Sequence, residues 1–287
     1  MTPLAPDAAT DPQPRPLLTI RPRRSWLPTN PRELWAFREL LVRLTARDVT
    51  LRYRQTALGV IWVVLQPLLA AGILSFVFGS VAGLPAPAGI PYFVFSLAGM
   101  VAWNTFSQTT LRASGALLGN SQLVSKVYFP RLMLPLSAVG STLVDTVVSL
   151  LLLTGLMVAT GVSPGWAVVA VPLWLLLLLA GAMGIGLATG ALMVRYRDVQ
   201  FVLPVAIQFL LFASPIAYTL ASVPASAQWA YKLNPLTGLL EGFRWSVLGM
   251  PRPSTGLMLY AGGVSLVMLL VGTAIFNRTE RQFADVI

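Results

Sequence analysis

Apolar and polar positions follow one another along this chain in two regimes. From residue 30 to about residue 47, Leu34, Phe37, Leu41 and Leu44 recur every three or four positions, while Arg32, Arg38, Glu39, Arg43 and Arg47 occupy the other faces. That period predicts an amphipathic helix. Asn30 is its expected N-cap, Pro31 its first helical residue and Glu33 the residue reaching back to the cap. After residue 57 the pattern becomes long apolar runs, at about 58–81, 91–111, 132–160, 167–194, 201–220 and 257–276. Each is long enough for a hydrocarbon core that needs roughly 20 helical residues. The chain therefore reads as an all-α integral membrane protein with six transmembrane helices, preceded by an N-terminal amphipathic helix at the membrane interface. For residues 30–47 taken alone, a surface helix on a soluble domain is the competing explanation. Gln66-Pro67 falls inside the first run, where proline removes one backbone hydrogen bond and kinks the helix.

The connections divide by polarity. Residues 82–90 and 161–166 are short, but 221–256 carries Trp229, Tyr231, Leu233, Leu236, Leu239, Leu240, Phe243, Trp245 and Val247. Asn234-Pro235 opens a helix there that is too short to span. Short re-entrant helices between spans 5 and 6 account for it, and so does a surface-lying amphipathic helix. In the connection 112–131, Asn120 or Ser121 is placed to cap a short helix that Pro130 stops. Its expected exposed face, Leu123, Val124, Val127 and Tyr128, needs a cover of lipid headgroups or protein. The chain thus divides into a Pro/Arg-rich disordered cytoplasmic tail (1–29), with no apolar core of a cleavable signal peptide, the interface helix and the stretch after it (30–56), a six-span domain (57–277) and a C-terminal tail (278–287).

Composition supports the membrane assignment: 56% of the 287 residues are hydrophobic and 10% charged, where a soluble domain carries roughly a quarter charged. Lipid must solvate most of the surface. Cysteine is absent and so is histidine, which excludes disulfides, thiolate and imidazole chemistry and the usual metal ligands, so no metal site is expected. The net charge of +10 resembles a nucleic-acid signal until the basic residues are placed. With the N-terminus inside, all of them except Lys232, Arg244 and Arg252 fall in cytoplasmic segments. The positive-inside rule then puts both termini in the cytoplasm, and the charge reports topology and attraction to membrane lipids rather than nucleic acid.

Catalytic constellations are missing. No G-x-x-x-x-G-K-[ST] occurs, so ATP is not hydrolysed on this chain in the Walker manner. Asp145 is the only acidic residue clearly at membrane depth. Burying it ionised costs on the order of 3 kcal/mol, so it calls for a partner or a wet cavity, and a structural or cavity-lining role fits better than a proton relay. Glu241 and Arg244, three apart, are expected to pair with each other. Gly181, Gly184, Gly186 and Gly190 permit close helix approach. Trp62, Tyr92, Phe95, Trp103 and Phe106, with the uncharged polar Asn104 and Gln108, fit an interfacial belt with ordinary packing. Together with Asp145 they also suit the lining of a pathway for a neutral or anionic glycan.

The run from Arg47-Asp48-Val49-Thr50 to Trp62, with Leu65-Gln66-Pro67, resembles the segment leading into the membrane domain of type-2 ABC exporter permeases. Members of that family move O-antigen, capsular polysaccharide or teichoic acid. The stretch from Asn120 to Arg131 is similar to the family's coupling-helix region, and Tyr196-Arg197-Asp198-Val199, Asn234-Pro235 and Gly242-Phe243-Arg244 match further along. The likeness covers about residues 32–277. It implies that Asn120, Ser121, Gln122, Leu123, Val124, Ser125, Lys126, Val127 and Tyr128 dock on a separate nucleotide-binding ATPase subunit. Arg195, Arg197 and Asp198 would form a second cytoplasmic contact, and Asn234, Pro235, Glu241 and Arg244 would belong to an external gate. It further implies two ATPase copies, with ATP and Mg held there and no cofactor in this chain, a second copy of the chain itself, and a lipid-linked glycan substrate at a bacterial inner membrane. A lipid or drug permease of the same type, and a membrane-embedded sugar transferase, are the alternatives.

Overall fold

The computed structural model describes residues 31–54, 61–87, 89–127 and 129–280, all helix, turn and irregular chain with no strand among them. The tail 1–29, the cap at Asn30, the start of the first span, Tyr128 and residues 281–287 lie outside the described residues. Helix α1 (Pro31–Ala36) and α2 (Arg38–Arg54) follow one another across a turn at Phe37. The predicted stripe behaves differently from a helix resting on lipid. Leu44 is buried and Leu34, Phe37 and Leu41 pack against a cluster with Leu117, Phe129, Met133 and Phe276. The interface helix therefore uses its stripe on protein, while Trp35 and Val42 face outward.

Among the described residues, four helices are long and apolar enough to cross a membrane: Ile61–Val81, Met133–Ala159, Trp166–Arg195 and Thr255–Thr279. The first is α3 (Ile61–Leu74), which holds Pro67 inside it and passes into a π-helical segment, Ser75–Val81. The others are α6 (Met133–Ala159), a 3₁₀ turn leading into α7 (Val171–Arg195), and α11 (Thr255–Thr279). The other two apolar runs depart from expectation. Where 91–111 was expected to span, α4 (Tyr92–Gly119) is 28 residues long and more polar than a lipid-exposed helix. Ser96, Thr105, Ser107, Thr109, Thr110 and Ser114 on it are buried. It can carry them because α6 and α7 pack along its length, and hydroxyls such as Thr105 and Thr110 back-bond to the carbonyls of Val101 and Phe106. Where 201–220 was expected to be helical, α8 (Val199–Phe212) stops after 14 residues, about 21 Å, and residues 213–219 run irregularly.

Close contacts fix the helix directions. Gly186 meets Thr110 and Ala113, and Gly190 meets Ser114, so α4 and α7 run the same way. Gly181 meets Ser265 and Gly184 meets Met268, so α11 runs with them. Arg112 bonds Ser141 while Thr105 bonds Thr146, so α6 runs against them. The glycines permitted by the sequence are thus spent inside one chain. At Gly272 a β-carbon would fall 2.0 Å from the Gly184 carbonyl oxygen, so α7 and α11 touch backbone to backbone.

Two short helices complete the chain at the end where α7 and α11 begin. These are α9 (Gln228–Leu233) and α10 (Pro235–Leu248). Asn234 caps α10 by accepting from the Leu236 N–H, Pro235 takes the first position, and Gly249 closes the helix at φ 67°, the left-handed geometry that suits glycine. Trp174 of α7 stacks over Gly242 and donates to Ser246 at 2.8 Å, fixing α10 on the bundle.

Candidate functional site

At the other end, where α4 and α7 finish, the short helix α5 (Ser121–Lys126) turns the chain into α6. Its two sides differ from the expected arrangement. Val124 is buried against the bundle and Leu123 half-buried, while Gln122, Ser125, Lys126 and Val127 are exposed, Val127 at 52%. The face assigned to Leu123, Val124 and Val127 is therefore split, because α5 has under two turns and the bundle claims Val124. Asn120 occupies the cap position but makes no cap bond. Its Oδ1 instead accepts from Arg47 Nη2 at 2.7 Å, and its Nδ2 donates to the Ala116 carbonyl. Arg195, Arg197 and Asp198 are exposed in the turn between α7 and α8, and the Arg195 guanidinium lies over the Tyr196 ring. Parallel α4 and α7 bring that turn to the same end as α5.

Beside α5, a cavity of about 340 Å³ is lined by Asp48 and Arg52 from α2, Arg112 and Asn120 from the end of α4, and Ser141 and Asp145 from α6. Asp145 is the hub. Its Oδ2 accepts from Arg112 Nη2 at 2.7 Å and also from Arg52 Nη1. Arg112 reaches Ser141 and Thr142 as well, and Gln108 accepts from it at 3.5 Å. One turn nearer α5, Asp48 accepts from Arg47 at 2.9 Å and from Ser137 at 2.9 Å. Two sets of charge-assisted bonds thus hold this corner: Asn120–Arg47–Asp48–Ser137 ties the α4–α5 turn to α2 and α6, and Arg52–Asp145–Arg112 ties α2, α6 and α4. Such bonds are directional and each stronger than a neutral one, so they fix the turn in position against α2 and α6. Asp145 has the partners that its burial demanded, and it lines this cavity. Arg52, Arg112, Asp48 and Ser137 carry the junction with it, a grouping that no local pattern in the sequence marks because the four lie on three separate helices.

The remaining candidates separate. Phe95, Trp103 and Phe106 are core residues at 1, 4 and 2% exposure, so they have no free ring face to offer as lining. Helix packing claims them because α4 lies at the centre of the bundle. Tyr92, Asn104 and Gln108 are half-buried, and Trp62 is exposed on α3. Glu241 and Arg244 do not pair. Arg244 is buried and donates to the carbonyls of Pro215 at 2.6 Å and Tyr218 at 3.2 Å, whereas Glu241 accepts from the Leu220 N–H at 2.8 Å. Both turn toward the irregular stretch after α8 because its main chain offers more unmet polar groups than they offer each other. Burial pushes the Arg244 guanidinium down to about 10, opposed by the charge of the Glu241 carboxylate, so it remains charged at neutral pH. Asn234 donates to the Ala213 carbonyl and to Ser214 Oγ, and Pro235 serves as a helix start.

Residues 39–248 match the family described as ABC-2 type transporter. The O-antigen export system permease protein RfbA of Myxococcus xanthus is 30% identical over 256 residues, which cover 88% of this chain and 97% of that protein. A protein of the same name from Klebsiella pneumoniae is 26% identical over 251 residues, covering 87% and 95%. The polysialic acid transport protein KpsM of Escherichia coli is 29% identical over 246 residues, covering 83% and 92%.

Proposed function

Since the chain belongs to the ABC-2 type transporter family, we propose that it is the membrane permease subunit of an ATP-driven polysaccharide exporter. The relatives named for O-antigen export and polysialic acid transport align over nearly their full length, and the permease role follows from them. The finer elements of the mechanism are these. Six crossings come from the four long apolar helices together with α4, about 42 Å long by its 28 residues, and α8 extended by residues 213–219. Parallel α4, α7 and α11 against antiparallel α6 support that alternation. The end bearing α5 and the Arg195–Asp198 turn is cytoplasmic, as the positive charge distribution requires, and α9 and α10 lie at the outer end. A separate ATPase, carrying ATP and Mg, docks on α5. Two copies of each subunit form the working assembly. The substrate is a lipid-linked polysaccharide.

The observation that carries the docking assignment is the two-sidedness of α5. Its inner residue Val124 anchors it in the bundle, Arg47 and Asp48 tie its start to α2 and α6, and its outer residues lie free for a partner. Closure of the ATPase pair would push α5 and, through Asp145, tilt α2, α4 and α6 together. The test is the double substitution Lys126→Glu, Val127→Asp. The permease should still insert and purify as a stable protein, while the ATPase no longer co-purifies with it. An ATPase that remains bound would overturn the docking assignment.

A further inference from the structure

Residues 213–219 leave helical geometry at the end of the bundle opposite α5. Main-chain carbonyls away from water need donors, and here most of those donors are side chains from other elements. Asn234 serves Ala213, Arg244 serves Pro215, Ile216 and Tyr218, and the Tyr92 hydroxyl of α4 serves Ala217. The stretch is pressed tightly onto α4. A β-carbon on Gly99 would come within 2.3 Å of the Ile216 oxygen.

Arg244 occupies the centre of this arrangement under unusual terms. It is 1% exposed, its guanidinium sits 4.5 Å from the centre of the Phe95 ring, and its Nε has no hydrogen-bond partner. Glu241, one turn away, binds the Leu220 N–H instead. A buried cation held in contact by carbonyl dipoles and a ring face, with Glu241 bound elsewhere, is stable only while those groups converge on it. The folded path of residues 213–219 and the position of Arg244 therefore depend on each other, which is the property of a latch and not of ordinary packing. Side-chain donors can also be withdrawn without unravelling a helix, unlike the backbone bonds that hold α4 or α7.

We propose that Arg244 is a positioning residue that latches the unwound stretch 213–219 onto α4 and α10, and that this stretch swings when the outer end of the transporter opens. The opening half rests on the exporter reading; the latch half does not. The chain has no cysteine, so a single Ala217→Cys reports on the stretch. Ala217 is buried, and Ser226→Cys on the exposed turn serves as control.

The permease–ATPase complex in lipid nanodiscs is treated with a soluble maleimide. At rest, Ala217→Cys should react far more slowly than Ser226→Cys. Adding Arg244→Gln should raise its rate by roughly ten- to a hundredfold, the effect of losing bonds to a buried charge. Tyr92→Phe, which deletes one hydroxyl and leaves Arg244 in place, should raise it less. Equal protection in both variants overturns the latch. If Arg244→Gln fails to accumulate, the Tyr92→Phe arm decides alone. In the unmodified background, ATP hydrolysis should expose Ala217→Cys; protection that persists through turnover overturns the swing while leaving the resting latch measured independently.

Discussion

Asp145 carries two guanidiniums on one oxygen, and the consequences of removing it differ from those of removing either arginine. Asp145→Asn strands Arg112, which is mostly buried, and frees Arg52, which is more exposed. An uncompensated, partly buried charge costs about 1–3 kcal/mol after solvent screening. Thermal unfolding of the detergent-solubilised protein should therefore show Asp145→Asn as the most destabilised variant, Arg112→Gln next and Arg52→Gln least. An equal or reversed order would mean that the junction is not organised around the carboxylate. That Asp145 required a partner was legible in the sequence, since an apolar run cannot hold a lone charge cheaply. Which partners it has was not, because Arg52 is 93 residues away and Arg112 is 33 away, and only the packing of α2 and α4 onto α6 selects them.

Elements show the same division in their faces. The glycines of α7 were readable as a licence for close approach, yet the partner was undetermined. The structure spends Gly184 on α11, where Gly272 has no room for a methyl group, while Gly263 on the same helix faces open space. Gly272→Ala should cost about 1–3 kcal/mol through overpacking, and Gly263→Ala should be neutral or slightly stabilising; melting curves of the two variants make the comparison. In α5 a period of 3.6 cannot be read from six residues, so the sequence does not separate Val124 from Val127, of which the bundle takes only Val124. The two positions should then fail differently. Val124→Asp should lower the stability or yield of the permease itself, whereas Val127→Asp should leave it folded and weaken only ATPase association. Co-purification measured alongside melting temperature separates them.

For the whole molecule, topology is the property that charge and hydropathy control. Ser226 and Ser125 are both exposed, at opposite ends of the bundle. In intact cells an impermeant maleimide should label Ser226→Cys at once and Ser125→Cys only after permeabilisation. Labelling of Ser125→Cys from outside would invert the orientation. The outward apolar belt, with Ile73 and Phe76 on the first apolar helix and Phe201, Phe209 and Phe212 on α8, is the surface that an aqueous solvent could not cover and lipid can.

Sequence by itself determined the solvent of this protein, its helical class, the absence of cysteine and histidine chemistry and the likeness to exporter permeases. Those properties are sums or local periods over many residues, and no tertiary contact can reverse them. Tertiary structure decided what depends on which helices meet. It buried Phe95, Trp103 and Phe106, turned Arg244 from Glu241 to the carbonyls after α8, ended α8 at Phe212 and gathered Asp145 with Arg52 and Arg112. In each case a group accepted the partner that best satisfied its charge or its unpaired backbone atoms, and that partner lay far away in sequence.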